Sequence, residues 1–91
     1  MLSIVLSNRF KKDLKRAKKR GLDLDLLEEV VDQLAKCVPL PEKNRDHALT
    51  GDYIGFRECH VAPDWLLVYR VEDEKLELFL FRTGTHSDLF T

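Results

Sequence analysis

Residues 53–83 read YIGFRECHVAPDWLLVYRVEDEKLELFLFRT, and this stretch decides the fold of the chain. β-Branched and aromatic side chains accumulate in it, and apolar positions recur with a period of two, which is typical of β-strands. The connections at residues 62–64 and 72–74 are short enough for hairpins. We therefore predict an antiparallel meander of three strands, over residues 53–61, 65–71 and 76–83.

The chain before this stretch begins with a short strand and a first helix. Apolar residues alternate with other residues over positions 2–6, which predicts the strand. Ser7 is placed to cap a helix, and Gly21 is placed to end it. The apolar stripe of that helix, with the spacing i, i+4, i+7, consists of Phe10, Leu14 and Ala17.

A second helix follows the first after a short turn. It begins near Asp23 or Asp25, because Asp25 and Glu28 resemble a capping box and early acids suit the helix dipole. Pro39 and Pro41 end it. Its apolar stripe consists of Leu27, Val30, Val31, Leu34 and Val38.

The element order that results is β-α-α-β-β-β, with an irregular loop over residues 42–52 that contains His47. Two amphipathic helices must cover one face of the sheet, and the first strand is added at an edge or between strands. This is an α+β fold in two layers. Residues 1–91 are enough for one domain and leave no room for a second.

Composition is that of an ordinary globular protein, with 44% hydrophobic and 34% charged residues. The longest apolar run spans residues 65–69, far short of the ~20 residues that cross a bilayer, and residues 2–6 lack a basic leader. We therefore expect a cytoplasmic protein with no membrane partner. Cys37 and Cys59 are not in a CxxC spacing, and we expect two free, packed thiols.

The net charge of −1 conceals a basic N-terminal segment. Residues 1–20 hold eight Lys or Arg and one acid. A dense cationic helix face that includes Lys15 and Lys18 would attract phosphate backbones. A solvated surface stripe is an equal alternative.

Two segments supply side chains suited to cutting RNA without a metal. Residues 58–65 read ECHVAPDW and residues 82–90 read RTGTHSDLF. Such cleavage needs a base for the 2′-OH proton, an acid for the departing 5′-oxygen, and positive charge beside the phosphate. Histidine suits both proton transfers, because its unperturbed pKa of ~6.5 leaves both forms accessible at neutral pH.

These segments, together with the loop histidine, suggest individual roles. We predict that His86 is the general acid, and that Asp64 or His60 is the base. His47 would orient or stabilise the phosphate, and Arg82 would add fixed positive charge.

Two aromatic side chains are candidates for contact with an unstacked base, an interaction worth ~1–3 kcal/mol per base. Phe90 follows the last predicted strand and has less core to join. Trp65 opens an apolar strand, so a place in the core is an equal alternative for it.

A metal site is a further alternative, because His60 and Asp64 are four residues apart. They bracket a predicted turn, however, and no HExxH or paired Cys/His spacing accompanies them. We therefore expect no metal and no other cofactor. Serine or cysteine hydrolase chemistry is not expected either, since no nucleophile elbow is present and Cys59 lies in a predicted strand.

The chain resembles the YafQ-type branch of the RelE/ParE toxin superfamily. The diagnostic part is residues 46–90, and above all the runs LTGDYIGFRECHVAPDWLLVY at 49–69 and RTGTHSDLF at 82–90. This resemblance implies two helices on a curved sheet and the toxin half of a type II toxin-antitoxin pair. It also implies an endoribonuclease that cuts translated mRNA in the ribosomal A site, with a cognate antitoxin as partner. The family's functional positions fall on His47, His60, Asp64, Trp65, His86 and Phe90.

One departure concerns charge: toxins of this kind are clearly basic, whereas the pI here is about 6.3. Other functional classes also stay open. ParE-like relatives act on DNA gyrase, so a binding module without nuclease activity is one alternative, and a nuclease that ignores ribosomes is another. A pure binder has no need of the proton-transfer set at His60, Asp64 and His86, which argues against the binding module.

Overall fold

The computed structural model describes residues 1–90 and consists of one sheet with helices on both of its faces. Its strands are β1 (Ser3–Leu6), β2 (His47–Ala48), β3 (Arg57–Ala62), β4 (Trp65–Glu72) and β5 (Glu77–Gly84). Its α-helices are α1 (Asn8–Lys19), α2 (Leu24–Ala35) and α3 (His86–Phe90), and short 3₁₀ turns occupy Glu42–Asn44 and Gly51–Tyr53.

The strand order is β1-β5-β4-β3-β2. Neighbours from β2 to β5 are antiparallel, which confirms the predicted meander. β1 takes the remaining edge and runs parallel to β5, with Ser3 opposite Glu77 and Leu6 opposite Leu80. The α+β fold is confirmed, but the sheet is mixed and not wholly antiparallel, because β1 pairs with the free side of β5 in the parallel direction.

Helix α1 forms as its pattern predicts. The Ser7 hydroxyl caps it by accepting a hydrogen bond from the backbone N–H of Phe10 at 2.9 Å. Phe10 and Ala17 are buried, so the apolar stripe faces the sheet. Gly21 follows the helix with a φ of 76°, a left-handed conformation that glycine adopts without steric cost.

Helix α2 begins at the first of the two predicted positions and ends earlier than predicted. Its N-cap is Asp23, whose carboxylate accepts from the backbone N–H of Asp25, in place of the capping box predicted at Asp25 and Glu28. Cys37 has a φ of 59° and turns the chain out of the helix two residues before Pro39. Val38 therefore lies outside the apolar stripe and is 45% exposed.

Strand β4 is buried on both of its faces, which explains its unbroken apolar run. Trp65, Leu67 and Tyr69 pack with α1 and α2 in the main core. Leu66 and Val68 point to the opposite face, where Leu89 of α3 covers them.

Two elements were not predicted from the sequence. The loop over residues 42–52 contains β2, which pairs His47 with Glu58 of β3. Helix α3 follows β5 directly and lies against the face of the sheet that α1 and α2 leave open. Both elements bring side chains to that second face.

Both cysteines are free, as expected, and Cys59 is buried whereas Cys37 is exposed and not packed. Burial is the main reason that the pKa of the Cys59 thiol is raised to about 12. Within residues 1–90, every helix is too short or too polar to cross a bilayer.

Candidate active site

Strand β3 carries Glu58 and His60 on the face of the sheet opposite α1 and α2. In the antiparallel register they pair with Val68 and Leu66, whose side chains pack under α3. Residues two apart on a strand share a face, so the carboxylate and the imidazole lie side by side.

Glu58 lies between two imidazoles. Its Oε1 is 3.7 Å from Nε2 of His47 and 4.0 Å from Nε2 of His60. The Glu58 side chain is only 7% exposed. A buried carboxylate at this distance places a negative charge beside both rings, in a poorly solvated part of the protein.

The segment that carries His47 is held in place by two further residues. Oδ1 of Asp46 accepts hydrogen bonds from the Tyr69 hydroxyl at 2.5 Å and from Nε of Arg57 at 3.2 Å. Burial, followed by the hydrogen bond to Asp46, raises the pKa of Tyr69 well above its usual range. The residue before His47 is therefore tied to both β3 and β4.

His86 lies at the start of α3 and is paired with Asp64 of the β3–β4 turn. Its Nδ1 is 3.1 Å from Oδ1 of Asp64, and its backbone N–H donates to the same oxygen at 3.4 Å. The ring hydrogen bond first, and the backbone one second, lower the pKa of the Asp64 carboxyl. A carboxylate only accepts, so Nδ1 carries a proton and Nε2 is left for other partners.

The two histidine groups converge. The rings of His60 and His86 are 5.9 Å apart between centroids. One ring nitrogen from each of them and one carboxylate oxygen of Glu58 lie within 4.8 Å of one another. Two imidazoles and a carboxylate at this spacing suit proton transfer, and they are also donor atoms that transition metals accept.

That triad differs from the metal site considered for the sequence. His60 belongs to it, but Asp64 does not. Its other members are Glu58 and His86, which are far apart in the chain. They come together because α3 lies on the same face of the sheet as the side chain of Glu58.

Phe90 is on the same helix as His86, one turn further on. Its ring is 5.5 Å from that of Tyr53 and 6.4 Å from that of His86. Phe90 is 41% exposed, so part of its ring is free beside the histidines.

Trp65 is a core residue, and its predicted role as a stacking platform for RNA is not supported by its position. It is only 3% exposed and packs on the side of α1 and α2, away from the histidines. Its indole N–H donates to the Thr83 hydroxyl at 2.9 Å, and that hydroxyl donates to the carbonyl of Leu66 at 2.7 Å. The polar atom of the ring is satisfied inside the protein.

Arg82, which the sequence suggested as a cation beside the phosphate, is paired with a carboxylate within the fold. Its guanidinium donates to both carboxylate oxygens of Asp13, at 2.8 and 3.2 Å. The same carboxylate accepts from the backbone N–H of Thr83 at 3.1 Å. Arg82 therefore connects β5 to α1. Asp13, the one acid in α1, faces the interior of the protein, and its side chain is 3% exposed.

Asp88 connects α3 to the basic helix. It forms a capping box with Thr85, since each backbone N–H donates to the side chain of the other, at 3.0 and 3.1 Å. Its carboxylate also accepts from Arg20 at 2.7 and 3.2 Å, with Arg16 at 3.5 Å. The hydrogen bond from Arg20 is the main cause that lowers the pKa of Asp88. Lys15 and Lys18 are exposed on the same helix.

The sequence therefore led to four residues of the cluster, His47, His60, Asp64 and His86, and it missed Glu58. A weak signal was present: Glu58 and His60 alternate with apolar residues in a strand, so they had to share a face. The sequence did not show that this face would be covered by α3 and hence desolvate a carboxylate.

Comparison with known proteins places the chain among toxins. A family described as "Bacterial toxin of type II toxin-antitoxin system, YafQ" matches residues 2–91. The chain is 41% identical, over 96% of its length and 94% of the relative's, to the mRNA interferase toxin YafQ of Escherichia coli K12. A structure of a metal-bound toxin from Helicobacter pylori is 51% identical with a TM-score of 0.94, covering 99% of this chain and 100% of that one. YafQ in the E. coli DinJ-YafQ toxin-antitoxin complex is 40% identical with a TM-score of 0.89, covering 99% and 98%.

Proposed function

This chain belongs to the YafQ family of bacterial toxins of type II toxin-antitoxin systems and is an mRNA interferase, and we propose that it cuts messages while they are translated on the ribosome. We propose further that the cleavage needs no metal ion. The observation that carries the proposed chemistry is the convergence of His60, His86 and Glu58 within 4.8 Å. Two imidazoles supply an acid and a base, and the carboxylate supplies charge for the one that becomes protonated.

His86 acts as the general acid. Asp64 holds its Nδ1–H and stabilises the imidazolium, so Nε2–H is the proton that the ring can give away. The side chain is 57% exposed, which leaves room for a phosphate beside it. Asp64 itself is a weak base, because its pKa is lowered and its oxygen is already occupied by His86.

His60 acts as the general base. Of the two candidates left by the sequence, it is the one with a buried carboxylate 4.0 Å away to stabilise the ring after it takes a proton. Glu58 is thus a positioning residue that acts through His60. It also faces His47, which lies at the rim of the cluster and is half exposed, so it can contact a phosphate oxygen.

In the proposed reaction, one proton is taken up and one is released while a single phosphorus–oxygen bond is exchanged for another. His60 takes the proton of the 2′-OH, and the 2′-oxygen attacks the adjacent phosphorus. The bond from phosphorus to the 5′-oxygen breaks, and His86 protonates that oxygen. The products are a 2′,3′-cyclic phosphate and a 5′-hydroxyl end, and Phe90 stacks on a base next to the break.

The ribosome is the proposed setting of this reaction, which places the protein in the cytoplasm. The exposed Lys15 and Lys18 on α1 supply charge for contact with ribosomal RNA. A cognate antitoxin is the proposed protein partner, because a relative of the same fold forms such a complex.

The decisive experiment is in vitro translation of a reporter message with purified toxin, followed by primer extension. Replacing His86 by Ala should lower the cleavage rate by ~10²–10⁴, the usual value of one proton-transfer group. The circular dichroism spectrum and melting temperature should not change, since this side chain is exposed. Lys75→Ala, in the turn at the other end of β4, is the matched control and should cleave at the wild-type rate.

A fully active His86→Ala protein would remove the assignment of the acid. Equal cleavage of naked and translated RNA would remove the ribosome from the proposal. An intact message together with blocked DNA supercoiling would point to the gyrase-inhibitor class.

A further inference from the structure

We propose that a pocket beside His60 binds the nucleotide next to the cleaved bond, with the phosphate of that nucleotide held by Lys43 and Arg45. This inference rests on the proposed cleavage of RNA at His60 and His86, and it adds a second binding site to that reaction. The pocket lies between the turn that ends in Arg45 and the last residues of β3.

The size and composition of the pocket fit a nucleotide. Its volume is about 450 Å³, within the range of small-molecule sites in proteins. Polar and apolar groups both line it, as a base, a sugar and a phosphate require. The lining residues are Lys43, Asn44, Arg45, His60, Val61, Ala62 and Pro63.

Lys43 and Arg45 are accessible to an anion. Both are exposed, and neither forms an ion pair with any carboxylate in residues 1–90. Four arginines, by contrast, are paired with carboxylates: Arg82 with Asp13, Arg57 with Asp46, and Arg16 and Arg20 with Asp88. Arg and Lys side chains are among the groups that most often contact the phosphates and sugars of nucleic acids.

The turn that carries these two cations is hydrogen-bonded to β3, which carries His60, and to β2, which carries His47. Asn44 is buried, and its side-chain amide donates to the backbone carbonyl of His60 at 2.7 Å. The carbonyl of Arg45 accepts from Nδ1 of His47 at 2.7 Å. Arg45 itself has a left-handed backbone, with φ 47° and ψ 44°, a conformation that is uncommon for a residue other than glycine.

The pocket also adjoins the proposed path of the RNA strand. His60 forms one wall of it and is at the same time a member of the catalytic triad. Ala62 and Pro63 continue that wall toward Asp64, the partner of His86. A strand whose scissile phosphate lies between the two imidazoles therefore has its neighbouring nucleotide within reach of the pocket.

The test compares Lys43→Gln and Arg45→Gln, singly and combined, with Lys75→Gln as a control of equal charge change. Each pocket variant should raise KM for translated message roughly tenfold, as expected when a charge-assisted hydrogen bond to the phosphate is removed, with kcat within about twofold of wild type. The slope of log KM against log salt should weaken by about 0.7 for each phosphate that the variant no longer neutralises. Lys75→Gln should leave KM and its salt dependence unchanged. An unchanged KM in the double variant, or an equal change in the control, would overturn the proposal.

A second measurement separates this inference from the proposed reaction. A trinucleotide with a 2′-deoxy sugar at the break cannot be cleaved and carries a second phosphate next to the scissile one, so its binding can be followed by NMR on intact toxin. The backbone amides of Asn44, Arg45 and Ala62 should shift on titration in the wild type and lose that shift in the double variant. If the amides do not shift although the toxin cleaves messages, the pocket is not a subsite. If they shift although no message is cleaved, the pocket stands and the reaction fails.

Discussion

Two carboxylates serve the three histidines of the cluster, and they differ in their exposure to water. Asp64 is 68% exposed at its side chain, so its charge is screened and its main effect on His86 is to orient the ring through one hydrogen bond. Glu58 is nearly buried and has no ideal hydrogen bond to either ring, so it acts on His47 and His60 mainly by its field. This division suits a ring that must donate a proton outward and a ring that must gain one.

A residue-scale prediction concerns Trp65. Replacing it by Phe keeps an aromatic side chain but removes the donor to Thr83, and should destabilise the fold by about 1–3 kcal/mol. Cleavage per folded molecule should be unchanged, because the ring is remote from the histidines. Thermal unfolding and primer extension on the same preparations check both parts. Impaired cleavage at unchanged stability would restore the stacking role.

Trp65 and Phe90 show when the sequence can predict that an aromatic side chain lies near a catalytic residue and when it cannot. Both are aromatic, and both lie within four residues of a candidate catalytic residue in the chain. Trp65 sits on a strand that turns alternate side chains to alternate faces, so its neighbour Asp64 says nothing about where the indole points. Phe90 is four residues from His86 on one helix, where that spacing brings side chains together.

At the scale of elements, α3 is the least self-sufficient part of the site. Five residues are too few for a stable isolated helix, so its position depends on its cap and its tertiary contacts. Asp88 supplies both the cap, through Thr85, and a tertiary contact, through Arg20. Gly84 precedes the helix, and a Cβ there would lie 2.9 Å from the Asp88 carboxylate, so the approach of the two is as close as glycine allows.

Asp88→Asn tests this connection. At neutral pH the variant should melt about 4–8 °C lower, the shift expected for ~1 kcal/mol in a domain of this size, because the charge facing Arg20 is removed. The pKa of Asp88 is lowered on folding, so its contribution is present above the unfolded value of ~3.9 and is lost as pH falls below it. The difference in melting temperature should therefore shrink below about pH 4.

Cleavage provides the second readout for Asp88→Asn. Because α3 carries His86, kcat should fall together with stability, and Glu74→Gln, an exposed acid of the β4–β5 turn, should change neither. A stability difference that stays constant down to about pH 2 would contradict the role of the charge.

Most elements could be predicted because local chemistry and tertiary packing agree. α1 has a cap, an apolar stripe and a terminal glycine, and all three are used. β2 and α3 could not be predicted, because two residues and five residues carry too little periodicity. Their conformation is determined by partners far away in the chain, Glu58 for β2 and Arg20 for α3.

At the scale of the whole molecule, charge is divided between two tasks. Arg16 and Arg20 of α1 are committed to Asp88, and Arg82 is committed to Asp13. Lys15 and Lys18 are exposed on the same helix and lack an ion pair within residues 1–90. The basic surface available for the proposed contact with ribosomal RNA is thus smaller than the count of basic residues indicates.

Reversing the charge of Lys15 and Lys18 to Glu tests that surface. Ribosome binding should weaken, and by more at low salt than at high salt, because counterion screening reduces exposed charge interactions. Sedimentation with ribosomes at several salt concentrations measures this, with circular dichroism as the check on folding. Weakening that is independent of salt would indicate misfolding.

Placing β1 beside β5 in parallel has a mechanical consequence. If the chain is pulled at residues 1 and 90, the two strands are drawn lengthwise past each other, because the start of β1 and the end of β5 lie at opposite ends of the pair. The hydrogen bonds between β1 and β5 must then break at the same time and not one after another. An unfoldase that pulls on either terminus would meet its greatest resistance at the outset, and the interior would open only after that seam had sheared.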